Sequence, residues 1–244
     1  MPARFDDVLI VMPAFNEEEA VAPVVAEVRA HLPGAGCLVV DDGSRDRTAE
    51  VASAAGAEVA RLPFNLGVGG AMRFGFQHAV ARGYRVVVQI DADGQHNPAD
   101  VPRLLKALDD ADVVLGARFA GEGDYRVRGP RQWAMVLLSR TLSRTARHRL
   151  TDTTSGFRAS GPRAIALFAE HYPAEYLGDT IESLVIAARA GLRIRQVPVA
   201  MRTRAGGTPS HNPFKAAIYL GRAVMALTFA HFKPRAAFRA EVAA

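Results

Sequence analysis

The sequence predicts a doubly wound α/β domain, a mainly parallel sheet flanked by helices. Three observations lead there. Apolar, β-branched runs alternate with segments of helical periodicity through the first half of the chain. The connections between them are short, as parallel strand–helix–strand units allow. Polar clusters recur where the strands end, as "PAFNEE", "DDGS" and "DADGQ", and open α/β sheets bind ligands beyond the carboxyl ends of their strands.

Each element has its own signal. "DVLIVMPAFN" reads as a strand running into a loop. In "EEEAVAPVVAEVRAHL", Val21, Val24, Val25, Val28 and Leu32 fall at helical spacing, with acids expected in the first turn, where the helix dipole favours them. Pro23 must then sit near the helix start. "CLVVDDGS" is a second strand, with Ser44 or Asp46 placed to cap the helix "DRTAEVASAAG". "EVARLP" is a short third strand, "GVGGAMRFGFQHAVARGY" a helix opened by glycines, and "RVVVQIDADG" a fourth strand. Pro98 begins the helix "PADVPRLLKALDD", and "ADVVLGARF" is a fifth strand. Beyond it come the glycine-rich loop "AGEGDYRVRGP", helical "RQWAMVLLSRTLSRTARHRL", the turn "TDTTSGFRAS", the helix "DTIESLVIAARAG", the strand "LRIRQVPVAMRTR" and a mostly apolar terminal helix. The division expected is a catalytic domain over 1–212 and a C-terminal helical segment over 213–244.

The bulk numbers bound the function. The 244 residues are 49% apolar and 23% charged, enough for a sizeable core. The lone Cys37 opens an apolar run and reads as a buried thiol of a reducing compartment. "MPARFDD" carries acid where a secretory signal has its apolar core, so a cytoplasmic protein is expected. A net charge of +5 and a pI near 9.8 suit nucleic acid, acidic headgroups or phosphorylated small molecules. No aromatic-rich basic sheet or recognition-helix pattern supports nucleic acid.

Asp91 and Asp93 close the fourth strand. Side chains at i and i+2 of a strand face the same way, so both carboxylates are expected to point into the cleft, where they would repel without a cation between them. Mg²⁺ or Mn²⁺ suits such a pair, because these ions take one or two protein carboxylates and fill the rest of their shell with phosphate oxygens and water. Gln95, or the nearby His96, is placed to complete the shell directly or through water. Read alone, the D-x-D pattern is equally that of a solvated loop.

The pair does not stand alone. "PAFNEE", "DDGSRDRT", "NLGVGGAMRFG", "DADGQH" and "TSGFR" occur in this order, and the set resembles the inverting GT-A glycosyltransferases of family 2. Within the family it is most similar to dolichyl- and polyprenyl-phosphate sugar synthases, over roughly residues 8 to 211. The resemblance implies a Rossmann-like nucleotide-binding half and a nucleoside diphosphate sugar as donor. It implies that Pro13, Ala14, Asn16 and Glu17 hold the nucleoside and that Asp42 hydrogen-bonds the base or ribose, with Asp41 beside it. For either aspartate, helix capping is the plain alternative. Asp91, Asp93 and Gln95 match the metal-binding set, Asp93 with a catalytic part and Asp91 also on the nucleotide.

An acceptor phosphate is already ionised near neutral pH and needs no general base, only cations that bring two anions together. Arg118, Arg131 and Arg202 match acceptor- or diphosphate-binding arginines of the lipid-phosphate group. Arg158, Arg204 and Ser139 are further candidates. A hydroxyl acceptor would instead require a base, for which "GDTIESL" offers Asp179 and Glu182, and either acid also suits a helix start. A soluble hydroxyl acceptor, a small molecule or glycan, therefore stays open beside polyprenyl phosphate, as does a non-catalytic nucleotide-sugar binder.

The apolar stretch from Ala216 to Phe232 has 17 residues and includes Arg222 and His231, short of the roughly 20 needed to span a bilayer. It suits an interfacial helix at the inner face of a membrane, a helix packed on the domain, or a contact with a partner subunit of a homo-oligomer.

Overall fold

A computed structural model describes residues 5–117, 152–153, 155–173 and 179–202. In chain order the elements are β1 (Val8–Ala14), α1 (Val21–His31), β2 (Gly36–Asp41), α2 (Thr48–Ala54), β3 (Glu58–Arg61), α3 (Gly67–Arg82), β4 (Val86–Gln89), α4 (Val101–Ala107), β5 (Val113–Ala117), β6 (Arg158–Ser160), α5 (Pro162–His171), α6 (Asp179–Arg189) and β7 (Ile194–Pro198). The seven strands form one sheet in the order β3-β2-β1-β4-β6-β5-β7. Every pairing is parallel except those of β6, which runs antiparallel to both β4 and β5.

Alternation along the strands builds two cores. Leu9 and Val11 of β1, Leu38 and Val40 of β2 and Val87 of β4 face α3, α5 and α6. Val8, Ile10, Met12, Val39 and Val88 face α1 and α4, meeting Val21, Val24, Val25, Val28, Val101 and Leu104. On the first face Phe76 of α3 lies 5.1 Å from the Phe168 ring of α5 and 5.2 Å from Tyr172, which joins the helices by offset aromatic contacts. Covering both faces explains why the strands read as continuous apolar runs.

Several local expectations change. α1 starts only at Val21, and no acid lies in its first turn. The amides of Glu17 and Glu18 donate to Thr48 Oγ1 and Asp46 Oδ2 of the next loop, so residues 17–19 belong to a tethered turn before the helix. The stretch read as the turn "TDTTSGFRAS" contains β6. Three residues are too few to show periodicity, and a central position that pairs both edges supplies the stability instead. α5 is not among the expected elements, although Pro162 stands in its first turn, a helix-start signal. β4 ends at Gln89, two residues short of Asp91, so strand alternation does not reach the two acids.

Among the described residues no helix is long and apolar enough to cross a membrane. The expected helices over 131–150 and 216–232 lie outside the described residues, as do Arg118, Arg131, Ser139 and Arg204.

Candidate active site

The chain order places β2 on one side of β1 and β4 on the other, so the sheet changes direction between β1 and β4. In an open α/β sheet the ligand crevice lies at that switch, outside the carboxyl ends of the strands. The loop after β1 carries Phe15 to Glu18, and the loop after β4 carries Asp91 to Asn97. The two polar clusters singled out in the sequence therefore flank one crevice.

The β1 and β2 loops are laced together. Asn16 N donates to Ser44 Oγ at 2.9 Å, and Asn16 Oδ1 accepts from Arg45 N at 2.9 Å. Glu18 Oε2 accepts from Arg47 N, and Asp46 Oδ1 from Thr48 N. Asn16 adopts φ 56°, a left-handed conformation that asparagine tolerates better than most residues. Asp46 thus closes a side-chain turn at the start of α2, although the helix N-cap itself, Arg47, makes no side-chain cap. Burial would raise the Asp46 carboxyl, but the Thr48 hydroxyl and the amides of Thr48 and Glu18 outweigh it and hold it below its usual value. Pro13 and Ala14 are the buried end of β1, and Phe15 stands 41% exposed just beyond.

Asp42 is 4% exposed and has both oxygens engaged. Oδ1 accepts from Leu66 N at 2.7 Å and Oδ2 from Gly67 N at 2.8 Å, so the carboxylate ties the start of α3 to the end of β2. Burial raises its pKa; the two amides oppose the shift and Asp41 adds to it. Asp41 is fully buried, accepts from Ser44 N and pairs with Arg61 Nε at 3.2 Å. The capping alternative is thus the geometry found at Asp42, and any contact with a nucleoside would use the remaining lone pairs. Directly after them Gly43 has φ 74°, and a Cβ there would stand 2.9 Å from the Phe64 carbonyl carbon. Only glycine lets the β3–α3 connection lie on this loop.

At the other loop, the Asp91 side chain is 38% exposed, while Asp93 is buried and accepts from Gln95 N at 3.0 Å. Asp91 Oδ1 accepts from Gln89 Nε2 at 3.2 Å. His96 is not a shell residue in this arrangement, because its Nδ1 accepts the Asp91 amide N–H at 3.0 Å and the ring is 2% exposed. Among the described residues no three His, Cys, Asp or Glu side chains converge as a ready metal clamp. Two carboxylates and an amide, with one acid open to the crevice, nevertheless fit an ion that draws its other ligands from phosphate oxygens and water.

The arginines separate. Arg158 is 5% exposed, and its guanidinium donates to Ser155 O, Ser183 Oγ and Thr180 O at 2.8, 2.8 and 2.9 Å. It pins the first turn of α6 to β6, so the side chain expected to bind acceptor phosphate directs its three bonds to protein acceptors. Arg202 donates to Glu27 Oε2 at 2.6 Å and Asn97 Oδ1 at 2.8 Å, and its amide donates to Gln95 O. Its backbone borders the aspartate loop while its side chain reaches toward α1. Asp179 is the first residue of α6, and Glu182 lies half-buried in its first turn. The roles of Ser44, Asp46, Thr48 and His96 as loop struts were not anticipated in full; the signal lay in the density of Ser, Asp and Thr, which bond nearby amides in turns.

This sheet order with its ligand crevice at the β1–β4 switch is that of a nucleotide-binding transferase fold, and residues 9–172 match the family Glycosyl transferase family 2. The chain belongs to that family and is a glycosyltransferase of GT-A fold. It is 34% identical to the undecaprenyl-phosphate mannosyltransferase of Micrococcus luteus, over 81% of this chain and 84% of that one. It is 32% identical to the dolichyl-phosphate hexose transferase of Haloferax volcanii, over 91% and 93%. Among solved structures it is similar to glucosyl-3-phosphoglycerate synthase of Mycobacterium tuberculosis in complex with Mn²⁺, UDP and phosphoglyceric acid. That match has a TM-score of 0.69 at 24% identity and covers 93% and 79% of the two chains, a likeness of fold.

Proposed function

We propose that this glycosyltransferase moves a sugar from a nucleoside diphosphate sugar to a polyprenyl phosphate, with inversion at the anomeric carbon. The observation that carries the reading is the open Asp91 carboxylate beside Asp93 at the sheet's switch point. The printed activities of the relatives from M. luteus and H. volcanii support the acceptor class.

Asp91 and Asp93, with Gln95, would hold Mg²⁺ or Mn²⁺, and the M. tuberculosis neighbour crystallised with Mn²⁺ or Mg²⁺ together with UDP supports that choice. Such an ion supplies charge stabilisation for a departing diphosphate. The loop Pro13–Glu17 orients the nucleoside, with the exposed Phe15 ring offering a face to the base. In the transfer, an acceptor phosphate oxygen forms a bond to C1 as the C1–O bond to the diphosphate breaks, and the electron pair leaves with the nucleoside diphosphate. Arg118, Arg131 and Arg204 offset the repulsion between the two anions, and Arg202 can join them by exchanging Glu27 for phosphate. A second reading, transfer to a hydroxyl, would use Asp179 or Glu182 at the start of α6 as the base. The protein would act at the cytoplasmic face of the membrane, through residues 213–244.

The test is a transfer assay with radiolabelled nucleotide sugars, polyprenyl phosphate and Mn²⁺, followed by organic extraction. Label in the organic phase, dependent on Mn²⁺ and of inverted anomeric configuration, is expected. Label that remains aqueous with every polyprenyl phosphate offered would overturn the acceptor assignment and leave the hydroxyl reading.

A further inference from the structure

We propose that His96 is a positioning residue that aims the Asp91 carboxylate at the cation site, and that it is not itself a ligand. The inference rests on the reading of Asp91 and Asp93 as the divalent-cation pair.

Both ring nitrogens of His96 address Asp91. Nδ1 accepts the Asp91 amide N–H at 3.0 Å, so that nitrogen carries no proton and its lone pair is committed. Nε2 is then the nitrogen left to carry the ring proton, and it lies 3.6 Å from Asp91 Oδ2, a contact longer than a hydrogen bond. The Nδ1 hydrogen bond fixes the main chain of Asp91, and with it the point from which the carboxylate projects, while Nε2 adds only a longer electrostatic contact to Oδ2. A metal ligand must present a free lone pair, and in this tautomer neither nitrogen does.

The ring has no freedom to serve otherwise. It stacks on Phe157, with centroids 5.0 Å apart and planes 14° apart. Phe157 is fully buried, and its carbonyl accepts from Gly116 N, which fastens it to the end of β5. On the opposite side Gln89, whose backbone pairs with Arg158 of β6, donates its side-chain amide to Asp91 Oδ1. Gly156 leaves the carboxylate its room, because a Cβ there would stand 3.0 Å from Asp91 Oδ2. The sheet thus reaches Asp91 directly through the Gln89 amide and indirectly through the stack of His96 on Phe157. The exposed part of the carboxylate is left to the crevice.

Hydrogen-bonding partners of metal ligands commonly change metal affinity by about 10- to 100-fold when removed, which sets the expected scale. The experiment is Mn²⁺ binding to the full chain, read by electron paramagnetic resonance with saturating UDP or GDP, alongside circular dichroism and melting temperature. His96→Phe keeps an aromatic ring for Phe157 and removes both polar contacts. Its Mn²⁺ dissociation constant should rise about 10-fold or more, with turnover at saturating Mn²⁺ within a few-fold of the parent. His96→Asn places an oxygen near the Nδ1 position and should recover most of the affinity. His96→Gln, whose polar atoms fall nearer Nε2, should recover little, and this contrast carries the test if the phenylalanine variant does not fold.

Unchanged Mn²⁺ affinity in folded His96→Phe would overturn the proposal. So would complete loss of binding that matches Asp91→Asn and is not rescued by asparagine, since His96 would then be a ligand. Failure of the underlying reading shows separately, as Mn²⁺ binding that Asp91→Asn leaves untouched; the positioning role falls with it.

Discussion

Asp42 and Asp91 follow the two strands that flank β1, and each has two oxygens to satisfy. Asp42 is buried, and the amides of Leu66 and Gly67 take one oxygen each. Asp91 is held by a side-chain amide on one oxygen and an imidazole beside the other, with 38% of its side chain left exposed. A carboxylate bonded to main-chain amides within its own domain has become part of the scaffold. One steered by side chains and left open is available to a ligand. The same contrast separates the arginines, with Arg158 sealed by three acceptors and Arg202 partly exposed.

If that division is right, the open acid should govern turnover and the closed groups stability. Asp91→Asn is expected to lower transfer by about 100-fold or more, the loss typical of a preorganised charge-stabilising group, while the melting temperature stays near the parent's; initial rates at fixed Mn²⁺ and a thermal melt check both. Arg158→Ala should be the most damaging to stability, at about 3 kcal/mol in urea unfolding, because hydrogen bonds to a buried charge are lost and Ser155 O and Thr180 O lose a donor. Loss of catalysis by Arg158→Ala without loss of stability would break the comparison. Asp42→Ala should cost about 1–2 kcal/mol through the lost cap on α3. Unchanged nucleoside diphosphate affinity in the same variant would sharpen the comparison, whereas a several-fold fall would blur it, because Asp42 would then serve both the helix and the base.

The smallest effect is one of pH. The Asp46 carboxyl is held below its usual value in the folded chain, so the unfolded state binds its proton first as pH falls. The contribution of Asp46 is in place above about pH 4 and is lost as pH drops through the lower folded value. Asp46→Asn should therefore flatten the acid limb of the stability curve. Thermal melts between neutral pH and about pH 3, spanning the ordinary aspartate range, would show it.

The first five strands and their helices were legible because each carries a run long enough to show its period. β6 was not: it has three residues, and its strand character comes from neighbours on both sides. The end of β4 was misjudged for a related reason. Ile90 continues the apolar run into the core, yet sheet pairing stops at Gln89, and pairing is decided by partner strands distant in sequence. At the site, residue types identified the loops but not the direction of each side chain. Nothing local in "SGFR" tells that Arg158 turns inward to Ser183, 25 residues away. His96 was visible as a polar residue beside the acids, but its tautomer follows from a contact with a main-chain amide.

The reversed strand β6 has a consequence for how such an enzyme can diversify. Because it runs against its neighbours, its first residue Arg158 lies beside Gln89 and Leu115, near the ends of β4 and β5. The chain therefore departs after Ala117 and comes back at Arg158 on one rim, the rim that bears the aspartates. The stretch after Arg202 sets out there too, its last described amide bonded to Gln95 O. A connection that leaves and re-enters on one edge can change in length without re-threading the sheet, so this rim can vary while the strands behind it stay as they are.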